Sequence, residues 1–307
     1  MNNMDALQIS HIVKKFGTQC VLEDVNLIVP ERGVFGLIGQ NGAGKTTLMK
    51  LVLGFLKAGS GTLSVFGQPA GYGHRAANKM IGYLPDVPEF YGYLSAGEYL
   101  RIVGRASGLL PRAAAQRSNE LLNRVKLDSG HKRIHQFSRG MKQRLGLAAA
   151  LLNKPKLLIC DEATSALDPE GRKDVLEMLE EAGQETAVIF SSHILSDVER
   201  ICDQFALLHN GKIRFQGKTN DVRHRQGDAI RLVLFDKVDA ERFIHVLQEL
   251  VFVREAGADG AVCTLRLVSS KENTAALIAA IGAANLAFRS FQPLERTLEN
   301  VYLEMIR

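Results

Sequence analysis

The sequence predicts an α/β core with an antiparallel β-layer and a helical subdomain, followed by a small α+β domain. Two kinds of observation favour this fold. Short apolar runs such as Val34–Ile38 and Leu157–Cys160 have the length and composition of buried parallel strands. Helical patterns separate these runs, which is typical of a parallel sheet covered by helices. With 307 residues, the chain is long enough for about two domains.

The first half of the chain carries the patterns for the β-layer and the start of the core. Polar and apolar residues partly alternate from Leu7 to Val29 around a turn at Gly17, which predicts a β-hairpin with one buried face. After the Val34–Ile38 strand, a glycine-rich loop leads to a helical pattern over Thr46–Phe55. Charged residues alternating with Ala and Leu then predict a mainly helical subdomain at about residues 87–155.

The second half completes the core and adds the smaller domain. A strand at Ala187–Phe190 precedes a hairpin whose Asn210-Gly211 pair is typical of a type I′ turn. The polar, basic stretch Gly217–Asp228 is predicted to be a linker. Further strands, with helices between and after them, are expected at Ala229–Phe235, Val262–Leu267 and Leu286–Phe291. We therefore predict one domain over residues 1–221 and an accessory α+β domain over residues 222–307.

Composition argues against several classes of protein. Apolar residues make up 46% and charged residues 23% of the chain, as in ordinary folded proteins. No apolar stretch reaches the roughly 18 to 20 residues of a membrane span, and the N-terminus lacks a secretory signal pattern, so we expect the chain to stay in the cytoplasm. The four cysteines show no zinc spacing and are expected to be buried. A net charge of +5 is weak evidence for a nucleic-acid partner, and none is expected.

A glycine-rich loop between a strand and a helix predicts a phosphate-binding site. Glycines let backbone N–H groups turn toward phosphate oxygens, the lysine reaches the β- and γ-phosphates, and the threonine hydroxyl binds Mg²⁺. A chance glycine-rich turn is the alternative, which the strand and helix on either side disfavour. The predicted ATP-binding residues of this loop are Gly39, Gln40, Asn41, Gly42, Ala43, Gly44, Lys45, Thr46 and Thr47.

Two adjacent acids end the Leu157–Cys160 strand. We assign Asp161 to Mg²⁺ and Glu162 to the role of general base for a nucleophilic water. Acids at a strand end are otherwise often turn residues. Because a phosphate-binding loop is also present, we favour the catalytic interpretation of these two acids.

The segment Phe137–Arg144 resembles the signature motif of ABC ATPases, and its Ser-x-Gly-Met-x-Gln-Arg form resembles the ABC-2-type exporters of drugs, lipids, polysaccharides or ions. Ser138 is predicted to cap a helix that continues through Leu152, and capping alone would explain this serine. The resemblance implies a P-loop ABC ATPase core whose signature residues face the nucleotide of a second subunit. Those residues are Ser138, Arg139, Gly140 and Met141.

Further residues take their roles from the resemblance. Ser165 and Asp168 lie in a segment that resembles the D-loop, and His193 resembles the switch histidine that contacts the γ-phosphate. Phe16 occupies the place of the aromatic residue that stacks on adenine, with a core phenylalanine as the alternative. A lone histidine after a strand is more often a polar loop residue, but the surrounding motifs favour the catalytic role together with Lys45 and Glu162.

Two residues depart from the family pattern. Asp86 stands in the Q-loop where glutamine is usual, and a carboxylate there could approach Mg²⁺, so Asp86 is a further candidate metal ligand beside Thr46 and Asp161. Arg139 stands in the signature motif where glycine is more common and could add positive charge toward phosphate.

The resemblance implies an Mg²⁺-dependent ATPase subunit that works as a head-to-tail homodimer. A separate membrane permease would hold it at the cytoplasmic face and choose the cargo, with Tyr83–Tyr93 as the contact surface. One rival function is an ABC ATPase that acts on ribosomes or DNA, but the paired cassettes or coiled-coil inserts of such proteins are lacking. A second rival is a catalytically weak regulatory subunit, which the intact Glu162 disfavours.

Overall fold

The computed structural model describes residues 5–128, 132–224, 229–268, 270–294, 298–299 and 301–302. These residues form two compact units, and the chain passes from the first to the second between Lys218 and Thr219. None of the helices in these ranges is long and apolar enough to cross a membrane.

The first unit contains a six-stranded, mostly parallel β-sheet, a four-stranded antiparallel sheet and a group of helices. Its strands are β1 (Leu7–Phe16), β2 (Gln19–Val29), β3 (Gly33–Ile38), β4 (Ser60–Val65), β5 (Gln68–Pro69), β6 (Ile81–Leu84), β7 (Leu157–Asp161), β8 (Ala187–Ser192), β9 (Gln204–His209) and β10 (Lys212–Lys218). Its α-helices are α1 (Lys45–Val52), α2 (Ala96–Ala106), α3 (Pro111–Arg124), α4 (Arg139–Ala150), α5 (Pro169–Glu185) and α6 (Leu195–Ile201). Short 3₁₀ helices lie at Ala77–Met80 and Ile134–Gln136.

The central sheet has the strand order β10-β9-β3-β8-β7-β6. Neighbouring strands pair in parallel along β9, β3, β8, β7 and β6. Strand β10 pairs antiparallel with β9 and forms one edge of the sheet. Every residue of β7 and β8 is buried, as expected for apolar strands covered on both faces. Because parallel strands run in one direction, the ends of β3, β6, β7 and β8 lie along the same edge of the sheet.

The predicted hairpin is present, as β1 and β2 pair around the turn at Gly17. The β-layer also contains β4 and β5, which the sequence analysis did not identify, in the order β2-β1-β4-β5. Inward residues of this layer, such as Ile9 and Val25, belong to the same apolar core as Phe35 of β3 and Leu51 of α1. The layer therefore packs over the helix that follows the glycine-rich loop.

Three α-helices, α2, α3 and α4, lie within the predicted helical segment of residues 87–155. Helix α2 begins with a capping box, in which the Ser95 side chain accepts from the Glu98 N–H and Glu98 accepts from the Ser95 N–H. All three helices pack on one another, and α4 also packs on β6 and α5. Helix α4 thus connects the helical group to the central sheet.

The second unit is a four-stranded antiparallel sheet with helices in a βαββαβ order. Its elements are α7 (Thr219–His224), β11 (Ala229–Leu234), α8 (Lys237–Gln248), β12 (Val253–Asp259), β13 (Val262–Leu267), α9 (Ser270–Ala283) and β14 (Phe288–Leu294). The strand order is β12-β13-β11-β14, and alternate residues of β11 and β13 enter a core with Phe243 and Leu277. Leu298 and Val301 near the end of the chain are also buried.

The structure differs from the sequence expectations at several points, and helix α1, for example, ends at Val52 rather than at Phe55. Strand β12 was not predicted, because most of its residues are exposed and it carries little alternation. The last strand is Phe288–Leu294 rather than Leu286–Phe291. The predicted linker begins with the end of β10 and with α7, while residues 225–228 lie outside the described residues. Cys20 is exposed beside the first hairpin turn, whereas Cys160, Cys202 and Cys263 are buried as expected.

The β9–β10 turn generates a stability prediction, because Asn210 and Gly211 have φ angles of 48° and 73°, as a type I′ turn requires. A Cβ atom on Gly211 would lie 2.5 Å from the carbonyl oxygen of Val21. Gly211→Ala should lower the free energy of unfolding by about 2 to 3 kcal/mol, through backbone strain and this clash. Gly17→Ala is the control, since φ is 58° there and no atom lies within 4 Å of an added Cβ. Equal losses in denaturant titrations of the two variants would contradict the clash.

Candidate functional site

The glycine-rich loop lies between the end of β3 and the start of α1, as predicted. Gly42 and Gly44 have φ angles of 82° and 108°, so the loop turns twice through backbone conformations that favour glycine. Gly44 is the N-cap of α1, and no side chain caps the first turn of the helix. The N–H groups at this helix start are therefore suited to an anion.

Lys45 is fixed at the mouth of this loop. Its side chain is 5% exposed. The ammonium Nζ donates to the carbonyl oxygens of Gly39 at 2.6 Å and Gln40 at 3.3 Å. The same Nζ lies 3.0 Å from Oε1 of Glu162. The loop thus holds a buried positive charge where a phosphate would lie, and Glu162 offsets that charge.

Glu162 contacts two of the predicted catalytic residues. Its Oε1 lies beside Lys45, and its Oε2 lies 2.7 Å from Nδ1 of His193. The backbone of Glu162 has φ at 50°, a left-handed conformation that is uncommon for a residue with a side chain. Its N–H donates to the carbonyl oxygen of Ser191 at 3.2 Å and to the Ser191 hydroxyl at 3.0 Å. The end of β8 therefore supports the strained residue at the end of β7.

Asp161 lies beside these residues at the end of β7 and is 3% exposed. Its Oδ1 accepts a hydrogen bond of 2.7 Å from the Ser191 hydroxyl. Burial raises the pKa of the nearby Tyr83 to about 12, and the negative charges of Asp161 and Asp86 add to this effect. Burial, together with the charge of Asp161, also raises the pKa of the Cys160 thiol. Asp161 is thus a buried carboxylate at the end of the sheet, a position that suits a cation.

Ser191 is the site residue to which the sequence analysis assigned no role. It is fully buried, and its hydroxyl contacts both the Asp161 carboxylate and the Glu162 N–H. The available signal was a small polar residue at the end of an apolar strand, just before His193. A polar residue at a buried strand end must find partners, and the adjacent parallel strand supplies them.

The residues present suit ATP and Mg²⁺. The buried Oε1 atom of Glu162 lies 3.0 Å from the Lys45 ammonium and accepts no hydrogen bond from the other described residues, so it keeps a lone pair for a donor such as water. Asp161 and the exposed Thr46 offer the hard oxygen atoms that Mg²⁺ prefers. The described residues hold no cluster of three His, Cys, Asp or Glu side chains suited to a metal. Few protein ligands are typical of Mg²⁺, which keeps waters and takes phosphate oxygens.

The signature residues lie at the start of α4. Ser138 is the N-cap, and its hydroxyl accepts from the Met141 N–H at 3.2 Å, so the predicted cap is present. The helix ends at Ala150 rather than at Leu152. A Cβ atom on Gly140 would meet protein atoms no closer than 4.0 Å, so its backbone is open to approach.

The departures from the family pattern lie together. Oδ1 of Asp86 accepts from the Ser165 hydroxyl at 2.6 Å, and Nη2 of Arg139 lies 3.4 Å from the same Asp86 oxygen. Asp168 is the N-cap of α5 but makes no side-chain cap hydrogen bond. Phe16, at the end of β1, is 47% exposed and therefore not a core residue, and Nζ of Lys14 lies 4.7 Å from the centre of its ring.

The predicted residues thus fall into two groups of contacts. Glu162 contacts both Lys45 and His193, and Ser191 joins Asp161 to Glu162. The second group links the Q-loop to the signature and the D-loop, through Asp86, Arg139 and Ser165. Catalytic and metal-binding roles for these residues stay predictions.

Comparisons with known proteins place these motifs in a family. A family model described as ABC transporter matches residues 22–165. The chain is 42% identical over 221 residues to the uncharacterized ABC transporter ATP-binding protein YxlF of Bacillus subtilis, covering 72% of this chain and 73% of that protein. It is 32% identical over 301 residues to the uncharacterized ABC transporter ATP-binding protein YdbJ of the same organism, covering 97% and 94%. It is also 34% identical over 234 residues to the bacitracin transport ATP-binding protein BcrA of Bacillus licheniformis, covering 75% and 76%.

Solved structures agree with this similarity. An ATP-binding subunit of an ABC transporter aligns with a TM-score of 0.64 and 34% identity, covering 72% of this chain and 92% of that one. The structure of cbiO1 from Clostridium perfringens, described as part of the ABC transporter complex cbiONQ, aligns with a TM-score of 0.66 and 25% identity, covering 71% and 90%. The predicted P-loop ABC ATPase fold is therefore confirmed.

Ser191 generates a prediction about the site. Ser191→Ala leaves the buried carboxylate of Asp161 without its hydroxyl donor, so it should lower the free energy of unfolding by about 2 to 3 kcal/mol. Ser192→Ala is the matched control, since the buried Ser192 hydroxyl accepts from the Ile194 N–H at 2.9 Å and donates to the Ile194 carbonyl at 3.4 Å, so its partners are backbone groups rather than a buried carboxylate. That control should lose about 1 kcal/mol in the same denaturant titration. A loss in Ser191→Ala no larger than in the control would contradict the supporting role of Ser191.

Proposed function

The chain belongs to the ABC transporter family as an ATP-binding ATPase subunit, and from this premise we propose that it drives export through a separate membrane permease. ATP binding would close two copies head to tail, and hydrolysis would reopen them. The contact of Glu162 with both Lys45 and His193 is the single observation that best supports a hydrolytic motor over a purely regulatory subunit.

The chemistry proposed for the site is in-line attack of water on the γ-phosphate. Glu162 would accept the proton of the water as its oxygen forms a bond to phosphorus and the bond to the β-phosphate oxygen breaks. Lys45, held by the Gly39 and Gln40 carbonyls, would stabilise the negative charge that develops on the phosphate oxygens. His193 would orient Glu162 and contact the γ-phosphate.

Mg²⁺, which Thr46 and Asp161 would hold with water and phosphate oxygens, supplies positive charge that offsets the charge of the phosphates. Asp161 keeps its position through the Ser191 hydroxyl. The backbone N–H groups of residues 42–47 would surround the phosphates, and the exposed ring of Phe16 would stack on adenine.

Each nucleotide would lie between two copies of this chain. Arg139 of the signature motif contacts Asp86 of the Q-loop and Ser165 of the D-loop, while Lys45 and Glu162 meet at the glycine-rich loop. One chain therefore carries both halves of a composite site, which supports a homodimer. Ser165 and Asp168 would face the second subunit, and no nucleic-acid partner is proposed.

The permease would bind the loop that follows β6. Three large side chains there are strongly exposed, since Val87, Tyr91 and Tyr93 show 61%, 62% and 69% of their surfaces. Exposed apolar residues that lie close together are typical of an interaction surface. Phe90 packs on Tyr99 of α2 at 5.0 Å between ring centres, which anchors the loop to the helical group. Binding there would hold the chain at the cytoplasmic face of the membrane.

The two units support a division of labour. We assign residues 1–221 to nucleotide binding, with the helical subdomain at about residues 87–155, and residues 222–307 to an accessory domain. The passage between the units at Lys218–Thr219 lies close to the assigned boundary. The relative named for bacitracin transport supports an export role, and the permease would choose the cargo.

Glu162→Gln tests the proposed chemistry. The amide cannot accept the proton of the attacking water, so ATP turnover should fall by about a hundredfold or more while ATP binding persists. The dimer that forms with ATP should therefore last longer, as followed by mass in solution. Glu180→Gln on the exposed face of α5 is the control and should retain the native rate. Unchanged turnover in Glu162→Gln would refute the assigned base.

The proposed permease surface has its own test. Replacing Tyr91 and Tyr93 together with serine removes two exposed rings that lie 6.0 Å apart, so recovery of the chain with membranes should fall about tenfold. Tyr72→Ser is the matched control, because Tyr72 is 63% exposed and lies away from this loop, in the segment after β5. Both variants should keep the native melting temperature within a few degrees. Equal membrane recovery of all three proteins would argue against this surface.

A further inference from the structure

Asp86 joins three segments of the first unit. It follows β6, and its Oδ1 accepts from the hydroxyl of Ser165, which lies after β7, at 2.6 Å. Its backbone carbonyl accepts from Nε2 of Gln143, a fully buried residue of α4, at 2.5 Å. Arg139, also on α4, places Nη2 at 3.4 Å from both Asp86 Oδ1 and Ser165 Oγ. The carboxylate is therefore engaged by the D-loop and by the signature helix.

Ser165 is tied directly to Glu162. The Ser165 N–H donates to the Glu162 carbonyl at 2.9 Å, which closes a tight turn after β7. Glu162, at the start of the turn, and Ala166, directly after it, have φ angles of 50° and 51°, so both lie in the left-handed region. Such conformations persist only when neighbouring groups hold them. Ser191 holds the turn at its Glu162 end, and Asp86 holds it at Ser165.

We propose that Asp86 is a positioning residue that orients Glu162 through the Ser165 hydroxyl, rather than a metal ligand. This inference rests on the ATPase role proposed above for Glu162. An O–H···O distance of 2.6 Å is typical of a charge-assisted bond to a carboxylate. Asp161, which is 3% exposed and faces the site, is the better placed carboxylate for the cation.

The two departures from the family pattern support the inference because they contact each other. An aspartate in the Q-loop adds negative charge, and the arginine in the signature motif places positive charge 3.4 Å from it. Both side chains are about half exposed, so the pair itself contributes little to stability. Its effect is geometric, since Arg139 and Ser165 approach one oxygen and fix its direction.

A double-mutant cycle tests the proposal. Asp86→Ala and Ser165→Ala should each lower kcat by about tenfold, and the double variant should lose little more, because both remove the same contact. The KM for ATP and the half-saturating Mg²⁺ concentration should stay within about twofold of the native values. Asp86→Asn keeps an acceptor oxygen and should recover part of the rate. Asp259→Ala and Ser107→Ala, at exposed positions elsewhere, are the matched controls.

Hydrogen exchange supplies a readout that does not need turnover. In the nucleotide-free protein, the peptide that covers residues 162–168 should exchange faster in Asp86→Ala and Ser165→Ala than in the native chain or the controls. Unchanged exchange in both variants, or additive losses of kcat, would overturn the proposal. So would a several-fold rise in half-saturating Mg²⁺ for Asp86→Ala alone, which would make Asp86 a metal ligand.

The failure of this proposal is distinguishable from failure of the ATPase mechanism. If Glu162→Gln turns over ATP like the native chain, the assigned base is wrong, whatever the cycle shows. If Glu162→Gln is inactive and the Asp86 and Ser165 variants are unaffected, only the positioning role fails.

Discussion

The contact between Lys45 and Glu162 is the interaction on which the rest of the site depends. Both groups are largely buried, with side chains 5% and 13% exposed, and their nearest charged atoms are 3.0 Å apart. A buried ammonium without a partner costs several kcal/mol, so the loop requires a negative group at this position. Glu162 supplies it here, and the phosphates of a nucleotide would supply it when they bind. Exchange of partners at Lys45 would then release Glu162 toward water.

This contact requires the strand order of the central sheet. Strands β3 and β7 both pair with β8, so the glycine-rich loop and the acids leave the sheet on either side of Ser191 and His193. The buried Ser191 hydroxyl holds Asp161 and the backbone of Glu162 at once. Glu162 has a left-handed backbone, so the extended conformation of β7 ends at Asp161 and the chain turns at Glu162. Topology, one serine and one strained residue together place the carboxylate between lysine and histidine.

Much of this arrangement could be predicted from the sequence because its signals are local. Three features can each be recognised from a few consecutive residues. They are the glycine-rich loop, the paired acids after Cys160 and the Asn210-Gly211 turn. The carboxyl ends of parallel strands meet at one edge, so the order of these motifs predicts that they come together. Strand β12 escaped prediction because it is mostly exposed and its side chains carry little alternation. Helix α7 was not predicted, because the sequence of a short polar helix resembles that of a linker.

What the sequence could not reveal is contact between distant residues. Asp86 and Arg139 each look like an isolated departure from a family pattern, and each suggests a different local effect on metal or phosphate. They lie 53 residues apart in the chain, and Ser165 lies 79 residues from Asp86. In the fold, Arg139 and Ser165 both approach the same oxygen, Oδ1 of Asp86. A carboxylate with these two donors already on one oxygen has less capacity left for a cation. Asp86 looks in the sequence like a change in metal binding, but in the folded chain its contacts support the proposed effect on the turn that holds Glu162.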